Sequence, residues 1–163
     1  MSLAGLRRFI DAIAALARIC APPVLRIALA LPFLRSGLTR WDGFPALSPA
    51  TLYLFEEQFK LHVLGREYGF PAPDHLALLT ASAEIVLPVL LLLGLGTRLA
   101  ALALLVMTAV IQLVIPEGWA NFHLYWAALA IAILALGPGG LSIDYWIARR
   151  LASPSHGGFR PNA

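Results

Sequence analysis

Three long apolar blocks, separated by two short turns, restrict the fold of this chain more than any other feature of its sequence. The blocks cover residues 75–95, 99–115 and 122–136. An α-helix needs about 20 apolar residues to cross the hydrocarbon core of a bilayer, and each block is close to that length. Because a bilayer leaves backbone polar groups without partners, such segments are expected to cross it as helices. The short turns predict that the three helices are antiparallel neighbours.

Composition supports a membrane protein. The chain is 60% hydrophobic and only 13% charged, whereas soluble domains carry about 25% charged residues. A further, shorter span is predicted over residues 24–38, although it contains Arg26 and Arg35. A cleaved signal peptide is the alternative for this segment, because Ala28-Leu29-Ala30 is similar to a cleavage site, but Arg26 would then lie in its apolar region.

The predicted fold class is an all-α integral membrane protein, a four-transmembrane-helix bundle with an N-terminal amphipathic helix and a helical outer loop. Residues 1–21 are assigned to an amphipathic interfacial helix that Pro22 and Pro23 end. Residues 22–151 form the bundle, with an outer loop that is helical over 50–64 and a short surface helix over 141–151 with Ser142 as its N-cap. Residues 152–163 are expected to be a disordered tail, since they have little to bury.

Basic residues set the predicted orientation, because cytoplasmic loops are enriched in Lys and Arg. With four spans, the bases that flank them lie on one side: Arg7, Arg8, Arg18, Arg98, Arg149 and Arg150. Both termini are therefore expected to be cytoplasmic. A re-entrant first segment is the alternative, and it would move the N-terminus to the other side.

Glu84 is the polar residue in the spans that most needs an explanation, because an ionisable group costs at least about 2.5 kcal/mol near the bilayer centre. Two hypotheses stay open. Glu84 pairs with an arginine, with Arg26 as the expected partner, or it belongs to a ligand or proton site. Arg40, by contrast, is expected to lie at the outer interface beside Trp41 as an aromatic-basic anchor.

Helical spacing brings more polar groups toward the outer half of the bundle. The candidate ligand-binding residues are Glu84, Gln112, His123, Trp119, Trp126 and Arg26. Glu84 and His123 would contact a ligand, Gln112 would donate a hydrogen bond, and the two tryptophans would form aromatic walls. An interfacial anchor is the alternative role for His123. The histidine spacings do not match a metal site, and a single cysteine, Cys20, excludes an internal disulfide.

A set of short motifs follows one order along the chain, and this order is more specific than any motif alone. The motifs are Arg26, Ser36-Gly37-Leu38-Thr39-Arg40, Leu54-Phe55-Glu56-Glu57-Gln58-Phe59-Lys60, Ala83-Glu84-Ile85-Val86-Leu87-Pro88, Gly94-Leu95-Gly96-Thr97-Arg98-Leu99-Ala100-Ala101, Val110-Ile111-Gln112, Trp119 with His123, and Gly137-Pro138-Gly139-Gly140-Leu141-Ser142-Ile143-Asp144. Together they resemble the DoxX family.

The resemblance implies a multi-pass protein of the bacterial inner (cytoplasmic) membrane. Members of the family are linked to redox systems, among them a subunit of a thiosulfate:quinone oxidoreductase and membrane partners of oxidative-stress proteins. Related proteins with paired cysteines are suggested to move disulfides, whereas this chain has Cys20 alone.

The leading functional hypothesis is therefore a membrane subunit of a redox or stress-response assembly, with a quinone headgroup as the candidate ligand. The alternatives are a non-catalytic membrane anchor or partner protein without a small-molecule site and, less favoured, a small-molecule transporter. The expected partners are membrane lipid and a second protein or a second copy of the chain. No basic run with interleaved aromatics indicates nucleic acid, and the sequence assigns no catalytic residue and no enzymatic reaction.

Orientation is testable with reporter fusions. A reporter active only outside the cytoplasm is expected to be silent at the C-terminus and active near residue 65, because the flanking bases hold both termini in the cytoplasm. A reporter active only in the cytoplasm is the control and should give the reverse pattern. Equal signals at the two positions would contradict the predicted topology.

Overall fold

The structure, a computed structural model, describes residues 2–152. Within these residues, four helical segments are long and apolar enough to cross a membrane: Leu3–Leu38, Pro73–Leu93, Thr97–Val114 and Pro116–Leu136. The predicted fold class, an all-α membrane protein with four spanning helices, is confirmed. The disordered tail was predicted over residues 152–163, and all of it after Ala152 lies outside the described residues.

The first helix, α1, is continuous over Leu3–Leu38, so the predicted break at Pro22 and Pro23 is wrong. Each proline removes one backbone hydrogen bond from a helix interior. Membrane helices tolerate this where neighbouring elements support the freed groups. Here Pro22 is buried and lies against Gly139, whose missing Cβ leaves room for the proline ring. The interfacial location of residues 1–21 stays a prediction.

The connection between the first two spans, residues 39–72, is partly helical and partly a β-hairpin. It is called the outer connection, and the half of the bundle that it covers is called the outer half. A short helix, α2 (Pro49–Tyr53), runs into one π-helical turn, Leu54–Gln58. Two antiparallel strands follow, β1 (Lys60–Val63) and β2 (Arg66–Gly69). The helix predicted over 50–64 is therefore wrong beyond Gln58. The reason is the two-residue loop of Leu64 and Gly65, both with positive φ, which is the backbone of a tight hairpin turn.

The remaining helices follow the predicted order. They are α3 (Pro73–Leu93), α4 (Thr97–Val114), α5 (Leu124–Leu136) and α6 (Ile143–Ala152). A 3₁₀ turn (Pro116–Gly118) and a π-helical turn (Trp119–His123) extend the last span before α5. Ser142 accepts a hydrogen bond from the Tyr145 N–H at 3.1 Å, which confirms the predicted cap of α6.

The core lies where α1, α3, α4 and α5 meet, and it is built from small and medium apolar side chains. Its fully buried members are Leu29, Ala30, Phe33, Leu91, Ala100, Ala101, Leu104, Ala130 and Ile133. The alanines allow the helix backbones to approach closely, as is typical of membrane helix interfaces.

The end of α1 lies level with the middle of α3. Gly37, in the last turn of α1, lies directly against the backbone of Glu84. Because α1 ends at this depth, the outer half of α3 is covered by the connection instead: the turn Leu54–Gln58 packs on α3, and β1 packs on α4. The Nδ1 atom of His62 is 3.2 Å from the carbonyl oxygen of Leu113, which ties the hairpin to α4.

The close packing of α1 on α3 requires a glycine at position 37, and this requirement can be tested. A Cβ at position 37 would lie 2.9 Å from the backbone carbonyl carbon of Glu84, so Gly37→Ala is expected to force α1 and α3 apart. The expected cost is about 1–3 kcal/mol, measured as a lower melting temperature in detergent. Gly140→Ala is the matched control, since a Cβ there would meet nothing within 4 Å. Equal melting of the two variants would contradict the proposed close contact.

Candidate functional site

Glu84 forms an ion pair with Arg40 in the interior of the bundle. Glu84 is only 2% exposed. The Nε atom of Arg40 is 2.5 Å from Glu84 Oε2, and Nη2 is 3.0 Å from Oε1. Both carboxylate oxygens therefore accept a hydrogen bond from one guanidinium group, an arrangement that combines charge attraction with fixed geometry.

The prediction that Arg26 pairs with Glu84 is wrong. Arg26 is also buried, but its Nη2 donates to the carbonyl oxygen of Leu141 at 2.5 Å, at the opposite end of α3 beside Gly94. Eleven residues of helix separate Arg26 from Gly37, about 16 Å at 1.5 Å per residue, so Arg26 cannot reach the carboxylate. The expectation that Arg40 is an interfacial anchor is also wrong, because its side chain points back into the bundle and binds Glu84.

The backbone and side chain of Arg40 also organise the outer connection. Its carbonyl oxygen accepts hydrogen bonds from the Ser48 N–H at 2.9 Å and the Thr51 hydroxyl at 3.1 Å. Its guanidinium carbon lies 5.5 Å from the centre of the Phe55 ring, a distance typical of a cation–π contact. The ion pair and the start of α2 are thus held by the same residue.

His123 and Gln112 form a second polar pair; the sequence predicted that both lie in the outer half of the bundle, but not that they contact each other. His123 is 3% exposed, and its Nδ1 lies 2.7 Å from Gln112 Oε1. The Nε2 group of Gln112 donates to the Pro116 carbonyl oxygen at 3.0 Å. The π-helical turn presents the imidazole toward Gly118, where a side chain would collide with the ring.

A cavity of about 430 Å³ in the outer half of the bundle joins these two pairs. Arg40, Glu84 and His123 line it, and most of its wall is aromatic or aliphatic. The aromatic side chains in the wall are Phe33, Phe55, Phe59, Phe70, Phe122 and Trp126. The rings of Phe33 and Trp126 are 5.0 Å apart, and those of His123 and Trp126 are 5.4 Å apart.

The structure brings only some of the predicted site residues to this cavity. Glu84, His123 and Trp126 line it, whereas Gln112 is not part of the wall and forms a hydrogen bond with the imidazole of His123. Trp119 is 47% exposed and is not part of the wall, and Arg26 lies at the other end of the bundle. Arg40 was missed as a site residue. The sequence signal for it is the motif Ser36-Gly37-Leu38-Thr39-Arg40, which carries part of the family resemblance, and the Ser36 hydroxyl lies 3.4 Å from Arg40 Nη2.

The inner end of the bundle has a separate polar cluster around Asp144. Its two carboxylate oxygens each accept a backbone N–H, from Gly96 and from Thr97, both at 2.8 Å, and so cap the start of α4. Burial raises the pKa of the Asp144 carboxyl, but hydrogen bonding by Thr97 and Gly96 and the nearby charge of Arg26 together outweigh it, so that the pKa lies below its ordinary value. Asp144 thus fastens α6 to the turn between α3 and α4, and Arg26 ties α1 to Leu141, just before α6. Among the described residues, no group of three or more His, Cys, Asp or Glu could hold a metal ion.

The comparison with known families decides the membership of the chain. The family model of DoxX matches residues 21–117, more than half of the chain. The chain belongs to the DoxX family. No curated protein and no solved structure matches it. The DoxX match includes Arg40, Glu84 and Gln112 and ends before His123, so it covers the ion pair and one member of the histidine pair.

Proposed function

We propose that this DoxX protein is a membrane subunit of a redox or stress-response assembly and that its outer cavity binds the headgroup of a quinone-type lipid. The observation that carries the proposal is the juxtaposition of Arg40–Glu84 and His123 on one largely aromatic cavity inside a membrane bundle. Ligand sites are typically apolar cavities with a few convergent polar groups that orient the ligand.

The chemistry of the wall fits a flat ring with oxygen substituents. Phe33 and Trp126 offer ring faces for stacking or edge contacts. The imidazole of His123 and the guanidinium of Arg40 are polar groups that can form hydrogen bonds with the oxygen substituents of the ring. A water-soluble ligand would gain little from so apolar a wall, whereas a lipid headgroup would.

Access from the bilayer is supported by two residues that lie both in the wall and on the outer surface of the bundle. Val110 is 42% exposed and Phe122 is 56% exposed, and both line the cavity. A lipid-soluble ligand could therefore enter from the side while its tail stays in the hydrocarbon region. The proposal places the cavity in the outer half of the bacterial inner membrane, with both termini cytoplasmic.

A non-catalytic anchor or partner protein is the second candidate function. It is favoured by the apolar face of α1 before Pro22, where Phe9, Ile13 and Leu16 are all more than half exposed. Another protein, a second copy of the chain, or membrane lipid would cover this face. This function needs no ligand in the outer cavity, so a ligand measurement separates the two candidates.

The test is the quinone content of the full-length protein after gentle purification, with binding of added duroquinone as a second measurement. Val110→Trp is expected to fill part of the cavity and to lower bound quinone about tenfold, because the indole would occupy space that the ligand needs. Val106→Trp is the matched control: the same change, one turn earlier on α4, at a residue that is 57% exposed and outside the wall. No quinone in the wild-type protein and no binding of duroquinone would contradict the proposal.

A further inference from the structure

The direction of the hydrogen bond between His123 and Gln112 is fixed by the other end of the Gln112 side chain. A backbone carbonyl can only accept, so the group that faces the Pro116 oxygen at 3.0 Å is the Gln112 NH₂. The amide oxygen of Gln112 must then face His123, 2.7 Å from Nδ1. An oxygen in that position accepts, so the imidazole carries its hydrogen on Nδ1.

The surroundings of His123 favour a neutral imidazole. Among the described residues, the ion pairs are Arg40–Glu84 and His62–Glu67, and neither includes His123. Glu117 lines the same cavity without pairing with the ring. A buried imidazolium without a paired carboxylate is costly, and a neutral imidazole has a single ring hydrogen. With that hydrogen on Nδ1, the remaining nitrogen, Nε2, is an acceptor.

This acceptor lies at the wall of the cavity. Gly118 lines the cavity, and a Cβ at this position would lie 2.5 Å from Cε1 and 2.8 Å from Nε2 of His123. The Cε1–Nε2 edge of the ring therefore lies against Gly118, and the neighbouring Nδ1 is bound to Gln112. His123 itself lines the cavity. Among the described residues, Nε2 of His123 is not one of the fully buried side-chain nitrogen and oxygen atoms without a hydrogen-bond partner, so it keeps accessible surface toward a ligand. A side chain at position 118 would cover it.

We propose that His123 Nε2 accepts a hydrogen bond from a ligand hydroxyl, so that the cavity prefers a quinol to the corresponding quinone. A quinol carries hydroxyl groups that donate to Nε2. A quinone presents carbonyl oxygens, which would place two acceptors against each other and leave the imidazole unpaired. This inference rests on the proposed function and specifies the form of the ligand at the same site.

The test compares three related probes on the full-length protein in lipid nanodiscs without oxygen: duroquinol, duroquinone and the dimethyl ether of duroquinol, in which a methyl group replaces each hydroxyl hydrogen. The wild-type protein is expected to bind duroquinol about tenfold more tightly than either other probe, because each leaves a buried acceptor unpaired. The dimethyl ether separates the role of the hydroxyl hydrogen from the shape and electron content of the ring.

Gln112→Leu is the variant that isolates the positioning role of Gln112. It removes the group that holds the hydrogen on Nδ1, so His123 can donate from Nε2, and the preference for duroquinol should fall to about twofold or less while binding persists. Gln58→Leu is the matched control, the same change on an exposed residue outside the cavity, and should keep the full preference.

A second measurement reads the position of the hydrogen without any ligand. In ¹⁵N-histidine-labelled protein, the His123 signals, assigned by their loss in His123→Asn, should show a protonated Nδ1 and an unprotonated Nε2. The opposite pattern would overturn the inference, as would binding of duroquinone at least as tight as that of duroquinol, and in both cases the proposed quinone site would stand. Absence of binding by all three probes would overturn the site and the inference together.

Discussion

The ion pair between Arg40 and Glu84 is the interaction on which the outer half of this structure depends. A charged group near the centre of a membrane helix costs at least about 2.5 kcal/mol by insertion scales, and the cost falls only when a partner satisfies it. Glu84 has that partner in the guanidinium of Arg40, bound through both carboxylate oxygens. Gly37 makes the approach possible, because a larger residue would collide with Glu84.

The ion pair also determines how the outer connection packs on the bundle. Since Arg40 follows α1 directly, its pairing at the depth of Glu84 ends the helix midway along α3, and the connection must cover the rest. The Arg40 carbonyl holds Ser48 and Thr51 at the start of α2, and the Phe55 ring packs on the guanidinium. The connection thereby closes over a space that α1 would otherwise fill, and this space is the cavity. The ion pair is both the support of the cavity and part of its polar wall.

Much of this architecture follows from the sequence, and the exceptions have physical causes. The spans were predictable because long apolar segments must be helical in a bilayer, and depth along the spans placed Gln112 and His123 in the same half of the bundle, although their hydrogen bond was not predicted. Arg40 lies beyond the last helical residue of α1, where periodicity no longer sets the direction of a side chain, so its partner could not be predicted. Pro22 and Pro23 predicted a break because local propensity does not include the packing of Pro22 on Gly139. The hairpin after Gln58 could not be predicted because its turn places Leu64 at positive φ, and leucine rarely adopts this conformation.

A double-mutant cycle on the ion pair tests this account most directly. Glu84→Gln, Arg40→Gln and the double variant are compared with the wild-type protein by their free energies of unfolding in detergent. The account predicts that each single change costs about 3–5 kcal/mol, because it leaves a buried charge unpaired, and that the double change costs much less than the sum. Arg26→Gln serves as the control, and its effect should add to that of Glu84→Gln. Additive effects of Glu84→Gln and Arg40→Gln, or coupling of Glu84 to Arg26 instead, would contradict it.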